Sequence, residues 1–230
     1  MKHAARRMAS ATAVAAVLAA VVAAAGEDGL VPLFDGKSID GWKQVGGKAK
    51  YVVEDGCIVG SSVPNTQNSF LCPPKTYGDF VLEFEVKCDP ALNSGVQIRS
   101  HVAKEGESVK RNQGDRTLPV GRMYGYQCEI SHAKRGSSGC IYDEGRGGWI
   151  FGPKDASEKA RKAFKDNAWN HYRIECKGNR IRTWVNGVAV ADMTDDREAK
   201  GLIGFQVHGV GKKAEPLVVR WRNIRIKELK

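Results

Sequence analysis

The functional groups of this chain crowd into residues 121–149, GRMYGYQCEISHAKRGSSGCIYDEGRGGW. Read with a period of two, Tyr124, Tyr126, Cys128 and Ile130 share one side of a strand, and Gln127 and Glu129 share the other. The same alternation sets Val96, Ile98 and Ser100 against Gln97, Arg99 and His101, and Phe205 and Val207 against Gln206 and His208. Arg173 and Glu175 alternate in the same way with Tyr172, Ile174 and Cys176. If at least three of these strands are neighbours, carboxylate, imidazole, guanidinium and amide groups converge on one groove. Gln-x-Glu and Gln-x-His sets present planar donors and acceptors suited to sugar hydroxyls, and Glu and His are proton-transfer groups. Residues 138–145 add glycines and end in Tyr142, Asp143 and Glu144, with Arg146 and Trp149 following. Glycine permits close backbone approach, and an aromatic ring offers a stacking surface for a pyranose. The plain alternatives are solvated strand faces, above all for Arg173 and Glu175, and an ordinary tight turn at 143–144.

The rest of the chain must hold these groups. FVLEFEVK (80–87) is the cleanest strand, with Leu82, Phe84 and Val86 facing inward. Short strands at 51–53, 57–60 and 69–71 are separated by turn residues, and Asn186-Gly187 between 181–185 and 188–191 is a hairpin signal. Residues 102–119 lack periodicity and read as a long exposed loop beside the equipped face. SEKARKAFKD (157–166) is the one convincing helix, capped by Ser157. Residues 217–229 form a closing strand that pairs near the start of the domain. Ten or more short strands with one short helix predict an all-β sandwich of two antiparallel sheets.

With 230 residues and a formal net charge of +10, the chain is sized for one core. Residues 1–25 begin with Lys2, Arg6 and Arg7, continue as an uncharged Ala/Val run and end in Ala23-Ala24-Ala25, which reads as a signal peptide cleaved after Ala25. An uncleaved anchor is the rival reading, and Arg6-Arg7 is compatible with the twin-arginine route. Cleavage would leave a domain of residues 26–230 with a net charge of +7, periplasmic or secreted and without membrane insertion. Its cations are scattered rather than interleaved with aromatics, which argues against nucleic acid as a partner. The six cysteines lack CxxC spacing. Bridges Cys57–Cys72 and Cys128–Cys140 are the favoured pairings, with buried free thiols as the alternative. No Gly-x-Ser-x-Gly elbow, phosphate loop or HExxH motif occurs.

LFDGKSIDGW, NSGVQIRS, GYQCEIS with SGCIYDEGRGGW, WNHYRIECKGNRIRTWVNGV, GFQVHG and VRWRNIRIKEL together resemble the 3-keto-disaccharide hydrolase domain family along essentially all of the chain after the leader. The resemblance implies a concanavalin A-like jelly roll in an exported bacterial protein acting on oxidised glycosides. It also implies a route. A ketone at C3 acidifies the C2 proton, a base removes it, the aglycone leaves C1 by β-elimination, and water adds to the resulting 2-hydroxy-3-keto-glucal. On that route the expected roles are Glu129 as base, His208 or Tyr142 as acid and Arg99 as enolate stabiliser. Gln97, Gln127, Gln206, Asp143, Glu144, Arg146 and Trp149 would bind substrate. Similar sequences carry an Asp where this one has Ser131, followed by His132. No metal site is assigned, and a divalent cation through Glu129, His132 and His208 is the one cofactor option.

Two other functions compete. A carbohydrate-binding, lectin-like module would use the same fold with an aromatic platform and few ionisable groups. A two-carboxylate glycosidase would need Glu129 opposite Asp143 or Glu144 at a set separation.

Overall fold

The computed structural model describes residues 29–111, 114–212 and 215–230; the signal peptide expected at 1–25 therefore lies outside the described residues. Fourteen strands of three or more residues are, in chain order, β1 (Lys43–Gly46), β2 (Lys50–Glu54), β3 (Cys57–Ser61), β4 (Ser69–Cys72), β5 (Phe80–Cys88), β6 (Ser94–Val102), β7 (Met123–Ile130), β8 (Ile141–Glu144), β9 (Trp149–Phe151), β10 (Asn170–Lys177), β11 (Arg180–Val185), β12 (Val188–Thr194), β13 (Gly201–Val207) and β14 (Val218–Glu228). They form two antiparallel sheets, ordered β12-β11-β10-β5-β14-β3-β2 and β9-β8-β7-β6-β13-β4-β1. This is the expected jelly-roll type of sandwich.

Alternation explains the core. Leu82, Phe84 and Val86 of β5 are fully buried, and so are Ile98 of β6, Tyr126 and Cys128 of β7, Phe205 of β13 and Trp221 of β14. Phe205 meets Phe84 and Trp221 edge-on across the two sheets, with centroids 6.1 and 5.7 Å apart. Asn186 and Gly187 both take positive φ, as the two-residue hairpin between β11 and β12 requires. The first short strand, Val31–Pro32, pairs with Ile226 and Arg225 of β14, so the closing strand does meet the start of the domain.

The outer face of the first sheet is a ladder of ion pairs. Glu83 is bonded by Arg173 at 2.5 Å and by Arg225 at 3.0 Å, Glu85 by Arg222 at 2.6 Å, and Glu175 by Arg182. Arg173 and Glu175 therefore belong to a solvated face on the sheet opposite the groove.

Three expectations need correction. The helix is one turn, α1 (Glu158–Arg161), with Ser157 accepting from Ala160 N. It ends early because side chains capture the backbone that would extend it: Asn186 donates to Ala163 O, and Asn170 donates to Lys165 O while accepting from Lys165 N. All six cysteines are buried free thiols, so neither favoured disulfide forms. Cys57 lies in the first sheet and Cys72 in the second, where Cys72 packs with Phe70 and Met123 outside the main core, whereas Cys128 and Cys140 sit inside it. The loop at 102–119 is folded rather than extended in solvent. Ser108–Val109 pairs with Arg116–Thr117, and Ala103, Val109, Leu118 and Tyr124 form a small core beneath this flap.

Candidate active site

The site grows from the outer face of the second sheet, where β13, β6, β7 and β8 lie side by side. Register places residues in rows across these strands. Gln206 pairs with Gly95, and Gly95 with Glu129. In the next row Gly204 pairs with Gln97, Gln97 with Gln127, and Gln127 with Tyr142. Gly95 is required here: a Cβ on it would lie 2.6 Å from Gln127 Cγ, so the missing side chain is what lets Gln127 lie across β6.

The three glutamines form a directed relay. Gln97 Nε2 donates to Gln127 Oε1 at 2.6 Å, and Gln206 Nε2 donates to the same oxygen at 2.7 Å. With its oxygen occupied, Gln127 turns its Nε2 to Glu129 Oε2 at 2.9 Å. Asn93 Nδ2 donates to the other carboxylate oxygen at 2.5 Å. Glu129 is 4% exposed, and burial pushes its carboxyl up to about 7 against the opposing pull of the Asn93 and Gln127 donors and the Arg135 charge. A buried carboxylate with two oriented donors, poised near neutrality, is a proton-transfer group in its working range.

Above these residues lies a groove of about 400 Å³ lined by Asn93, Gln127, Glu129, Arg135, Tyr142 and His208 at its heart, with Asn68, Arg116, Arg122, Glu144, Gly145, Gly147 and Trp149 around them. His208 Nδ1 lies 2.8 Å from Gly209 O, and because a carbonyl only accepts, Nδ1 carries the proton and Nε2 is left as an acceptor. Burial lowers the His208 pKa below 6.5, and the Arg135 and Arg122 charges add to that. The ring is neutral at pH 7, which suits a base or acceptor and not the acid expected of it. Trp149 is 42% exposed and meets Tyr142 edge-on at 5.2 Å. Glu144 accepts from Arg122 at 2.5 Å and from Asn68 at 3.4 Å, and burial raises its pKa.

Other expected site residues lie elsewhere. Arg99 is wholly buried and takes a left-handed backbone, φ 47°, at a break in register between β6 and its neighbours. The bulge reverses the parity read from the sequence. Ser100 faces the relay and donates to Gln97 Oε1 at 2.8 Å. Arg99 instead runs to the end of the sandwich, donating to Gly78 O, Gly178 O and Asp79, each at 2.7 Å. It ties the two sheets together and cannot stabilise an enolate in the groove. Asp143 and Arg146 also leave the groove. Asp143 accepts from Arg197 at 2.6 Å and Arg146 at 3.3 Å, while Arg146 also binds Glu198, which His101 reaches at 2.7 Å. Ser131 Oγ bonds Ser137 Oγ at 2.7 Å in the turn after β7, and His132 does not line the groove. Among the described residues no cluster of three or more His, Cys, Asp or Glu is arranged to hold a metal ion, so the residues present do not fit the Glu129/His132/His208 option.

Asn68, Asn93, Arg116, Arg122 and Arg135 are groove residues that strand parity misses, because they sit in loops or at strand ends. Arg135 is the most telling. It follows β7 in the 3₁₀ turn Ala133–Arg135, lines the groove, and its charge acts on both Glu129 and His208.

The outer face of the second sheet thus carries a relay of amides leading to a buried carboxylate, beside a neutral imidazole and an exposed aromatic. Residues 29–227 match the model of the 3-keto-alpha-glucoside-1,2-lyase-like domain, and the chain belongs to that family. A 3-keto-disaccharide hydrolase of Bacteroides thetaiotaomicron is 30% identical over 101 residues, 40% of this chain and 34% of that protein; the match thus spans about a third of the relative's length. Among solved structures the fold is shared with a protein of Parabacteroides distasonis provisionally assigned as a glycosyl hydrolase (TM-score 0.58, 19% identity, 88% of this chain and 95% of that one). It is shared also with a carbohydrate-binding module of Bacillus subtilis (TM-score 0.53, 16% identity, 82% and 96%). The chain is thus a carbohydrate-active, hydrolase-like domain.

Proposed function

We propose that this chain cleaves 3-keto-glycosides by β-elimination followed by hydration, acting outside the cytoplasm after removal of its leader. The observation that carries the reading is Glu129: buried, held by Asn93 and Gln127, and raised to about 7. Its ionised form takes the C2 proton, and the C2–H electron pair is delocalised onto the C3 ketone oxygen. Arg135 replaces Arg99 as the cation that stabilises this enolate, since it lines the groove beside Glu129. The enolate re-forms the ketone, a C1=C2 double bond appears, and the C1–O bond breaks with its electrons on the aglycone oxygen. Tyr142, across the ladder from Gln127, protonates that oxygen, and His208, neutral with Nε2 as acceptor, accepts from a sugar hydroxyl or from the water of the second half-reaction. Water then adds across C1=C2, with OH at C1 and H at C2. Trp149 and Tyr142 supply the face against which the sugar ring rests.

Substituting Glu129→Gln keeps the shape and removes the base. Turnover of a 3-keto-glucoside should fall at least about 100-fold, and full activity in this variant would sink the assignment.

The exposed Trp149 favours a second reading as a binding module, since the same fold carries such modules. A module gains nothing from burying a carboxylate at the end of a relay of three glutamines. A two-carboxylate glycosidase fits less well. Glu144 also lines the groove, but its carboxylate is taken up by Arg122 and Asn68, and its row on β8, paired with Gly125, is four residues along β7 from that of Glu129.

A further inference from the structure

Beyond Trp149 a second depression of about 440 Å³ is lined by Lys110, Arg111, Arg146, Arg197, Asp143 and the wall residues Gly147–Ile150. Gly147 and Trp149 border both hollows, so the two are continuous. Four cations face one carboxylate here. Arg146 and Arg197 are already partnered, by Asp143 and Glu198 and by Asp143 and Asp195 respectively. Those bonds fix their guanidinium planes and satisfy Asp143. Lys110 and Arg111, carried by the flap, make no ion pair among the described residues. Arg111 Nε is buried and has no hydrogen-bond partner among them. A buried donor left open costs roughly 1–3 kcal/mol, so an acceptor from outside is expected at that place. Arg111 Nη2 also lies within 3.8 Å of where a Cβ on Gly147 would stand, as does the Tyr142 hydroxyl, which puts the cation at the lip between the hollows.

We infer that this second hollow is an aglycone subsite for an oxyanion: the leaving group of the true substrate carries a carboxylate or a sulfate, bound by Arg111 and Lys110 against the fixed Arg146/Arg197 pair. This rests on the groove holding the glycosyl ring, as set out above. A glycoside seated against Tyr142 and Trp149 would pass its aglycone over Gly147, where the absent side chain leaves the path open. Planar guanidinium forks match the two oxygens of such an anion, and the surrounding positive charge draws it in.

The test uses three aryl glucosides that lack the C3 ketone and so bind without reacting: 4-carboxyphenyl, 4-sulfooxyphenyl and the neutral 4-carbamoylphenyl. Their affinities are measured by calorimetry for the wild type and for Lys110→Gln/Arg111→Gln at low and at high salt. At low salt the better anionic glucoside should bind about tenfold tighter than the amide, as one or two partly exposed charge-assisted bonds would give. That preference should shrink with salt and vanish in the double variant. The tighter anion tells whether a carboxylate or a sulfate supplies the charge. Equal affinity for all three probes, including no measurable binding of any, overturns the proposal, as does a preference that survives in the double variant. Because none of the probes can undergo elimination, a failure of the proposed reaction would leave this result intact.

Discussion

Replacing Glu129 with glutamine should stabilise the fold at alkaline pH while abolishing activity, and the size of the gain can be worked from the site. Burial raises this carboxyl from an ordinary value of 4.5 to about 7. A raised acid favours the protonated form in the folded state. Its contribution to stability is therefore fully present below pH 4.5 and is lost as pH rises through about 7. The shift corresponds to about 3 kcal/mol of cost above pH 8, and to about 1 kcal/mol or less at pH 5. Glutamine carries no such cost. It does bring a mismatch, because its amide nitrogen must face a donor, either Asn93 or the Gln127 amide that the other two glutamines lock in place. That mismatch is the same at both pH values and cancels when they are compared. Urea unfolding of wild type and Glu129→Gln at pH 5 and pH 8.5 should show the relative stability of the variant increasing by about 2–3 kcal/mol between them. A difference that does not change with pH would refute the claim that Glu129 is ionised at a cost in a desolvated groove.

Other consequences follow from the same contacts. Arg99→Met should destabilise the protein by about 3 kcal/mol in urea unfolding, because Asp79 and two backbone carbonyls lose a buried partner. Gly95→Ala drives a Cβ into Gln127; a loss of about 1–3 kcal/mol in stability and a lower kcat should appear together, the first by thermal melts and the second by steady-state rates. Trp149→Ala should raise KM about tenfold with a smaller effect on kcat, since its ring is a platform and carries no proton. With the ionised carboxylate as base, kcat/KM should rise with pH through an acid limb near 7, and Asn93→Ala, which removes a donor that favours the ionised form, should move that limb to higher pH.

Much of this architecture is legible as period-two alternation. The β5 pattern, the Asn186-Gly187 hairpin and the outward facing of Gln97, Gln127, Glu129, Gln206 and His208 all follow from residue type and parity. Parity fails where the backbone breaks it. One left-handed residue at Arg99 sends its side chain into the sandwich end and turns Ser100 outward, and a non-glycine bulge has no residue-type signal. On β8, Asp143 falls on the side opposite Tyr142 and Glu144, so strict alternation read across 142–144 would have assigned it to another pocket. Arg135 and Asn93 escape because turn residues carry no period. What could have flagged Arg135 is its place in a basic turn directly after the strand holding Glu129. The disulfide expectation took short loops between neighbouring strands, and for Cys57 and Cys72 it failed because the two strands belong to different sheets.

The central claim is that the C2–H bond breaks before the glycosidic bond is replaced. Turnover of a 3-keto-glucoside in D₂O, with the released 3-keto sugar examined by NMR and mass spectrometry, tests it most directly. The account predicts deuterium at C2 of the product, delivered when solvent adds across C1=C2, and loss of the reaction in Glu129→Gln. A released sugar that retains its original C2 hydrogen would contradict elimination and return the groove to direct displacement at C1.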